Sequence, residues 1–211
     1  TNAELDMMRI VDMGDGLYVE HEGIKTVSAA GIDPKLAEYR RSLALIPDKY
    51  KDMMAYNFQC SLYGGNTDKL KGQINAFLTK FKEYEKDGYG LYLYSKTKGT
   101  GKTMLACIFL NEISCRYMVP TKFITIYDYL DLTKKSYNDI KTNLEAIEMA
   151  PVLVIDDIGA QMAKEWVNTV LFRLIDKRYS NKLVTIYTSN KRIQELNMDE
   201  RIIDRIQSQS L

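Results

Sequence analysis

The sequence predicts a three-layer α/β domain built on a mostly parallel sheet, and three observations predict it. Apolar or β-rich runs recur at "GLYLY" (90–94), "TKFITIY" (121–127), "PVLVIDD" (151–157) and "LVTIYTSN" (183–190). A helix-compatible segment separates each run from the next, and strands alternating with helices imply right-handed crossovers and a sheet covered on both faces. The third run is apolar until its two terminal acids, the form of a strand buried at the centre of such a sheet.

Composition sets the outer limits. With 211 residues, 45% apolar and 27% charged, the chain can bury the core of one medium domain and carry an appendage. A formal net charge of +1 argues against a protein that holds nucleic acid by bulk electrostatics alone, although a local basic groove fits inside such a balance. No apolar run approaches the roughly 18 residues of a membrane span, and the N-terminus lacks the basic-then-apolar pattern of a secretory signal. No membrane partner is expected. Cys60, Cys107 and Cys115 are odd in number and form no C-x-x-C pair, which predicts a reduced, cytoplasmic compartment and no zinc site. The chain opens on Thr1 rather than Met, as a fragment does.

Two regions follow in order. Residues 1–48 read as an N-terminal appendage: "GLYVEHEGIKTV" (16–27) is a small hairpin turning at Glu22-Gly23. "DPKLAEYRRSLALI" then supplies Asp33 as a helix cap and Pro34 at the first helical position, and Pro47 closes the element. His21, the only histidine, sits at the hairpin tip with no second His or Cys nearby and reads as a solvated turn residue. From residue 49 to 211 the pattern is that of the α/β core. Leu70, Ile74, Phe77, Leu78 and Phe81 form one helical stripe after an Asn66-Thr67 cap signal, and Gly88 ends that helix. Trp166, Val170 and Leu174, with Val167, Leu171 and Ile175, form a second stripe and are read as core.

The turn in "LYLYSKTKGTGKTML" (91–105) joins a strand to a helix, and Gly101, Lys102 and Thr103 match the second half of the phosphate-loop pattern G-x-x-x-x-G-K-S/T in that context. Backbone N–H groups of such a loop, Lys98, Gly99, Thr100, Gly101, Lys102, Thr103 and Met104 here, would cradle a β-phosphate with the positive end of the helix. The Lys102 ammonium would reach the terminal phosphates and the Thr103 hydroxyl a Mg²⁺ ion. Lys96 stands where the first glycine belongs, at a cost of about 1 kcal/mol if its φ is positive. Taken alone, the stretch also reads as a flexible basic loop.

"PVLVIDDIG" adds Asp156 and Asp157 at a strand tip, one acid for Mg²⁺ and the next for an attacking water. Two such acids alone could merely begin a turn. Together with the Lys-Thr loop upstream, they point to a nucleotide. The polar end of "LVTIYTSN" lies where open α/β sheets bind ligands, which places Asn190 near a γ-phosphate with its amide on water, or otherwise as a cap of the next helix.

The ordered set "KGTGKT", "LVIDDIGA", "WVNTVLFRLIDKRYSNKLVTIYTSN" and "ERIIDRI" resembles the AAA+ ATPases of the DnaC/DnaI type, the bacterial replicative helicase loaders, with the related IstB-type transposition helper close behind. The resemblance covers roughly residues 46 to 207 and begins at "IPDKYKD" and "YNF". It implies a P-loop NTPase of the AAA+ and ASCE class that binds ATP with Mg²⁺. Lys102 and Thr103 would be its Walker A residues, Asp156 the Walker B metal carboxylate, Asp157 the catalytic acid and Asn190 sensor 1. The family places an arginine of "ERIIDRI" in the neighbouring subunit's site. Arg201 and Arg205 are four apart and share a helix face, and position in the motif favours Arg205; the alternative is pairing with Glu200 or Asp204.

By the same resemblance the chain is an ATP-dependent loader of a replicative DNA helicase onto single-stranded DNA, a primosome component that self-associates and hydrolyses ATP at a subunit interface. Residues 1–48 would be a partner-binding adapter. Asp157 stands where many relatives carry Glu, which implies slow hydrolysis, and the chain stops at "IQSQSL", where the family adds a last strand and a helical lid. The segment 127–150 falls where loaders and initiators carry an extra helix. There Lys134, Lys135 and Tyr137 would contact single-stranded DNA, or the helix is ordinary surface. A transposition helper and an ATP-responsive recruitment module with negligible turnover remain as alternatives. A small-molecule kinase lacks support from any acceptor site or Arg-rich lid.

Overall fold

A computed structural model describes residues 8–12, 17–21, 24–27, 34–60, 67–135, 139–161 and 164–211. The N-terminal region holds a three-stranded antiparallel sheet, β1 (Met8–Asp12), β2 (Leu17–His21) and β3 (Ile24–Val27), in that order. The expected hairpin is present, with His21 opposite Ile24, while its turn at Glu22-Gly23 lies outside the described residues. The strand β1 was not anticipated. Helix α1 (Pro34–Leu43) opens on Pro34 as expected and stops short of Pro47, after which Leu45 takes a left-handed φ of 60°; Asp33 lies outside the described residues. Both β2 and β3 lie against a single 3-10 turn at Ala55–Asn57.

One predicted helix is two. The apolar stripe from Leu70 to Phe81 runs over α2 (Asp68–Thr79) and α3 (Phe81–Asp87), broken at Lys80. The Thr79 hydroxyl donates back to the Asn75 carbonyl at 2.7 Å, a local bond that competes with helix continuation. Across the break Phe77 stacks on Tyr84 with centroids 5.7 Å apart and meets Phe81 edge-on at 6.3 Å. Thr67 makes no capping bond, and Asn66 lies outside the described residues. Gly88 closes α3 in the left-handed region, φ 76°, as its position predicted.

The core alternates as expected: β4 (Leu91–Tyr94), α4 (Lys102–Tyr117), β5 (Thr121–Thr125), α5 (Ile126–Lys134), α6 (Asp139–Glu148), β6 (Val152–Asp156), α7 (Glu165–Ser180), β7 (Val184–Ser189) and α8 (Glu200–Ser208). The four strands are parallel, in the spatial order β4-β7-β6-β5. Every residue of β6 and β7 is buried, which explains their apolar runs. The second predicted strand is shorter than expected because it ends at Thr125, whose side chain caps α5 by accepting from the Asp128 N–H at 3.1 Å.

Two apolar clusters fill the two faces of the sheet. One gathers α2, α4 and the residues around Ala44 to Phe58; the other gathers α5, α7 and α8. Val167, Leu171, Leu174 and Ile175 are buried as predicted, but Trp166 is 38% exposed. It starts the helix, beyond the edge of the covered face, and carries the Lys134 ammonium 4.9 Å from its ring. Arg178 on the same helix is fully buried. Its guanidinium donates to the carbonyls of Glu148, Ala150 and Val184 and to the Thr185 hydroxyl at 2.7–2.9 Å, tying the end of α6 and the link that follows it to β7, and burial pushes its pKa down to about 10.

Candidate functional site

The sheet order places β7 between β4 and β6, so the turn after β4, the acids ending β6 and the polar tip of β7 meet at the carboxyl edge of adjacent strands. The turn after β4 carries positive φ at Gly99 (76°) and Gly101 (75°), and Lys96 is absent from the positive-φ residues. The strain anticipated for a non-glycine at Lys96 is therefore not incurred, because the left-handed steps fall on glycines. Lys102 opens α4, and its ammonium donates to the carbonyls of Ser95 and Thr97, both at 3.3 Å. Such a lysine folds over its own loop and lies free to exchange those neutral acceptors for phosphate oxygens.

Thr103 faces Asp156. Its hydroxyl donates to Oδ1 at 2.9 Å and Oδ2 at 3.2 Å, while the buried Thr188 hydroxyl donates to Oδ1 at 2.6 Å. Asp156 is only 6% exposed. Burial raises its pKa first of all, the hydrogen bonds from Thr188 and Thr103 oppose that rise, Asp157 adds to it and Lys102 opposes it. Asp157 takes a left-handed φ of 59° and donates its backbone N–H to the Thr188 hydroxyl at 2.9 Å.

These residues border a cleft of about 1110 Å³, lined by Thr97 through Met104, Asp157, Ala160 and Asn190 and, at its other end, by Tyr50, Asn57, Phe58 and Gln59. Lys98, Gly99, Thr100, Gly101, Lys102, Thr103, Met104, Asp157 and Asn190, all expected from sequence, thus share one wall. Asp156 lies behind it, reached through Thr103. Asn190 caps no helix: the next turn, Ile193–Glu195, is capped from Arg192. Sequence reasoning missed Thr188, seen only as part of a polar cluster, and Gln59.

Arg205 does not reach the cleft of its own chain. Its Nε donates to Asp176 at 3.2 Å, and its guanidinium lies 4.3 Å from the Tyr179 ring. Arg201 is held by both oxygens of Asp199 at 2.9 and 2.8 Å and stacks on Phe172. The partners are thus Asp176 on α7, against which α8 packs, and Asp199, the residue that caps α8 by accepting from the Arg201 N–H, not Glu200 or Asp204. On α5, Lys134 pairs with Asp131 at 3.2 Å, Lys135 is exposed, and Tyr137 lies outside the described residues.

A phosphate-loop turn, a buried acid at the neighbouring strand tip and a polar strand end between them define a P-loop nucleotide-binding protein, and the parallel four-stranded sheet is that of the AAA+ class. Residues 85–209, more than half of the chain, match the family described as IstB-like ATP binding protein. The chain belongs to that family. It is 30% identical over 147 residues to the replicative helicase loader DnaC of Escherichia coli (strain K12), covering 65% of this chain and 59% of that one. It is 28% identical over 168 residues to the replicative helicase loader DnaI of Bacillus subtilis (strain 168), covering 77% and 53%. The chain thus spans a little over half the length of these relatives. A crystal structure of DnaI superposes with a TM-score of 0.67 at 24% identity, over 80% of this chain and 93% of that one, a likeness of fold. Among the described residues no helix is long and apolar enough to cross a membrane.

Proposed function

We propose that the chain is an ATP-dependent loader of a replicative DNA helicase onto single-stranded DNA, hydrolysing ATP at an interface between its own copies. The observation that carries the reading is the convergence of Lys102, Thr103, Asp157 and Asn190 on one cleft with Asp156 bonded behind Thr103. The N–H groups from Lys98 to Met104 hold the phosphates at the start of α4, and Lys102 reaches the terminal ones. The oxygen donors Thr103 and Asp156 fit Mg²⁺, which needs few protein ligands when phosphates and waters supply the rest. Held there, Mg²⁺ would supply charge neutralisation for the terminal phosphates.

Asp157 and Asn190 orient the water that attacks the γ-phosphate, and ADP leaves as the P–O bond to the β-phosphate breaks. Arg205 of a neighbouring copy stabilises the developing charge, released for that purpose from its half-exposed pair with Asp176. Binding and hydrolysis then shift the assembly between states of different grip on helicase and DNA. Residues 1–48 serve as the adapter to the helicase, and Lys134, Lys135 and Tyr137 as contacts to DNA.

Phosphate release measured with and without single-stranded DNA, alongside capture of the host's replicative helicase, tests the reading. Turnover that responds to DNA, together with helicase capture, is the expected result. No helicase capture in any nucleotide state overturns the loader reading. Nucleotide-dependent capture without turnover supports the recruitment module instead, a reading that the short Asp157 side chain favours.

A further inference from the structure

The tip of β7 is joined to the acid turn at three points besides the sheet itself. The Thr188 hydroxyl bridges Asp156 and the Asp157 N–H, the Thr188 carbonyl accepts from the Ile158 N–H at 2.9 Å, and the Ser189 hydroxyl donates to the Ile158 carbonyl at 2.7 Å. Asn190 follows directly in sequence. The acid pair and the strand tip that leads into Asn190 are thus joined in one hydrogen-bonded unit.

Within that unit Thr188 has a defined orientation. A hydroxyl has one proton; because the Asp157 backbone is itself a donor, the Thr188 proton must point at Asp156 Oδ1. That oxygen carries the two shortest bonds, at 2.6 and 2.9 Å, and Oδ2 only the long one from Thr103 at 3.2 Å. The carboxylate is therefore pinned in rotation, with Oδ2 the oxygen left for a cation or its water. Thr188 is fully buried and forms no part of the cleft wall, so a nucleotide in the cleft would not compete for its bond. Thr103, by contrast, lines the cleft and also faces the ligand.

We infer that Thr188 is a positioning residue whose hydroxyl aims Asp156 and fixes Asp157, and that it sets how far Mg²⁺ strengthens nucleotide binding. The inference rests on the magnesium-nucleotide reading above. A partner that orients a metal-binding side chain without touching the metal is worth roughly tenfold to a hundredfold in metal affinity. Its effect belongs to the Mg²⁺-dependent part of binding, since the loop N–H groups and Lys102 hold phosphate without it.

The test is titration of a fluorescent ATP analogue into the full chain, in Mg²⁺ and in EDTA, for wild type, Thr188→Val and Thr188→Ser. In EDTA all three should bind within about twofold of one another, and the enhancement on adding Mg²⁺ should fall about tenfold or more in Thr188→Val and recover in Thr188→Ser. An unchanged enhancement in Thr188→Val overturns the inference while leaving the nucleotide site intact; so does an equal loss in Thr188→Ser, which would make shape rather than the hydroxyl responsible. Should Thr188→Val not fold, Thr188→Cys, close to serine in size but only a weak donor, is compared with Thr188→Ser under the same criteria. Absence of any Mg²⁺ enhancement in wild type refutes the underlying reading instead.

Discussion

Replacing Lys102 by Ala separates a nucleotide site from a basic surface loop. In the free protein the ammonium makes two bonds at 3.3 Å to the neutral carbonyls of Ser95 and Thr97, beyond the usual N–H···O range of about 2.7–3.2 Å. Bonds that long contribute on the order of 0.5 kcal/mol each. Contacts from the same ammonium to phosphate oxygens are charge-assisted and contribute about 1.5–3 kcal/mol each. Exchanging two of the first kind for two of the second gains about 2 kcal/mol at the low end, or roughly thirtyfold in Kd. Calorimetric titration with a non-hydrolysable ATP analogue should show at least that loss for Lys102→Ala. Adenosine, which has no phosphate to lose, should bind the variant as it binds wild type. The half-buried lysine supports little else, so the melting temperature should move by only a few degrees. An ATP affinity within about twofold of wild type, or a parallel loss for adenosine, would refute the phosphate-loop assignment.

Three further outcomes follow from other parts of the molecule. Arg205→Ala should leave the affinity of an isolated copy for ATP unchanged, because Arg205 does not line its own chain's cleft, and should lower phosphate release per site in the assembled protein by about a thousandfold; equal loss at dilutions that keep copies apart would contradict a role in trans. Arg201 holds the Asp199 carboxyl down to about 2, from an ordinary 3.8; a depressed folded-state pKa gives stability that is present above 3.8 and lost as pH falls toward 2. Arg201→Ala should therefore flatten the fall in melting temperature across that window. Leu171→Ala should cost about 2–5 kcal/mol in urea unfolding because Leu171 is fully buried, whereas Trp166→Ala should cost about 1 kcal/mol or less.

The strands and the residues of the cleft wall were legible in the sequence for different reasons. The strands β6 and β7 are covered on both faces, so burial itself writes an apolar run. The cleft residues were legible because the sequence patterns for phosphate and metal binding restrict residue types at set spacings, and Gly101-Lys102-Thr103 and Asp156-Asp157 match those patterns. The Lys80 break was hidden because the apolar stripe from Leu70 to Phe81 keeps helical spacing across it. Trp166 was misjudged because a stripe marks one side of a helix without saying how far along it the neighbours extend. Arg178 reads as one more surface cation in "DKRYS", and only the fold supplies the cup of carbonyls that receives it.

Thr188 shows a different limit. A threonine in a strand satisfies β-propensity whatever it touches, so its residue type carries no functional signal. Its role arises from spatial order: β6 precedes β7 in sequence with α7 between them, yet the two lie side by side, with β4 on the far side of β7. A side chain pointing toward the acids from the tip of β7, as Thr188 does, can therefore address both Asp156 and the turn beyond it. Lys102 approaches from β4 and Asp156 from β6, and the strand between them bonds the acid turn and leads directly into Asn190. Under the proposed function, strand order thus brings the acid pair and Asn190 to one strand tip, and the buried Thr188 hydroxyl is the side chain there that bonds both acids.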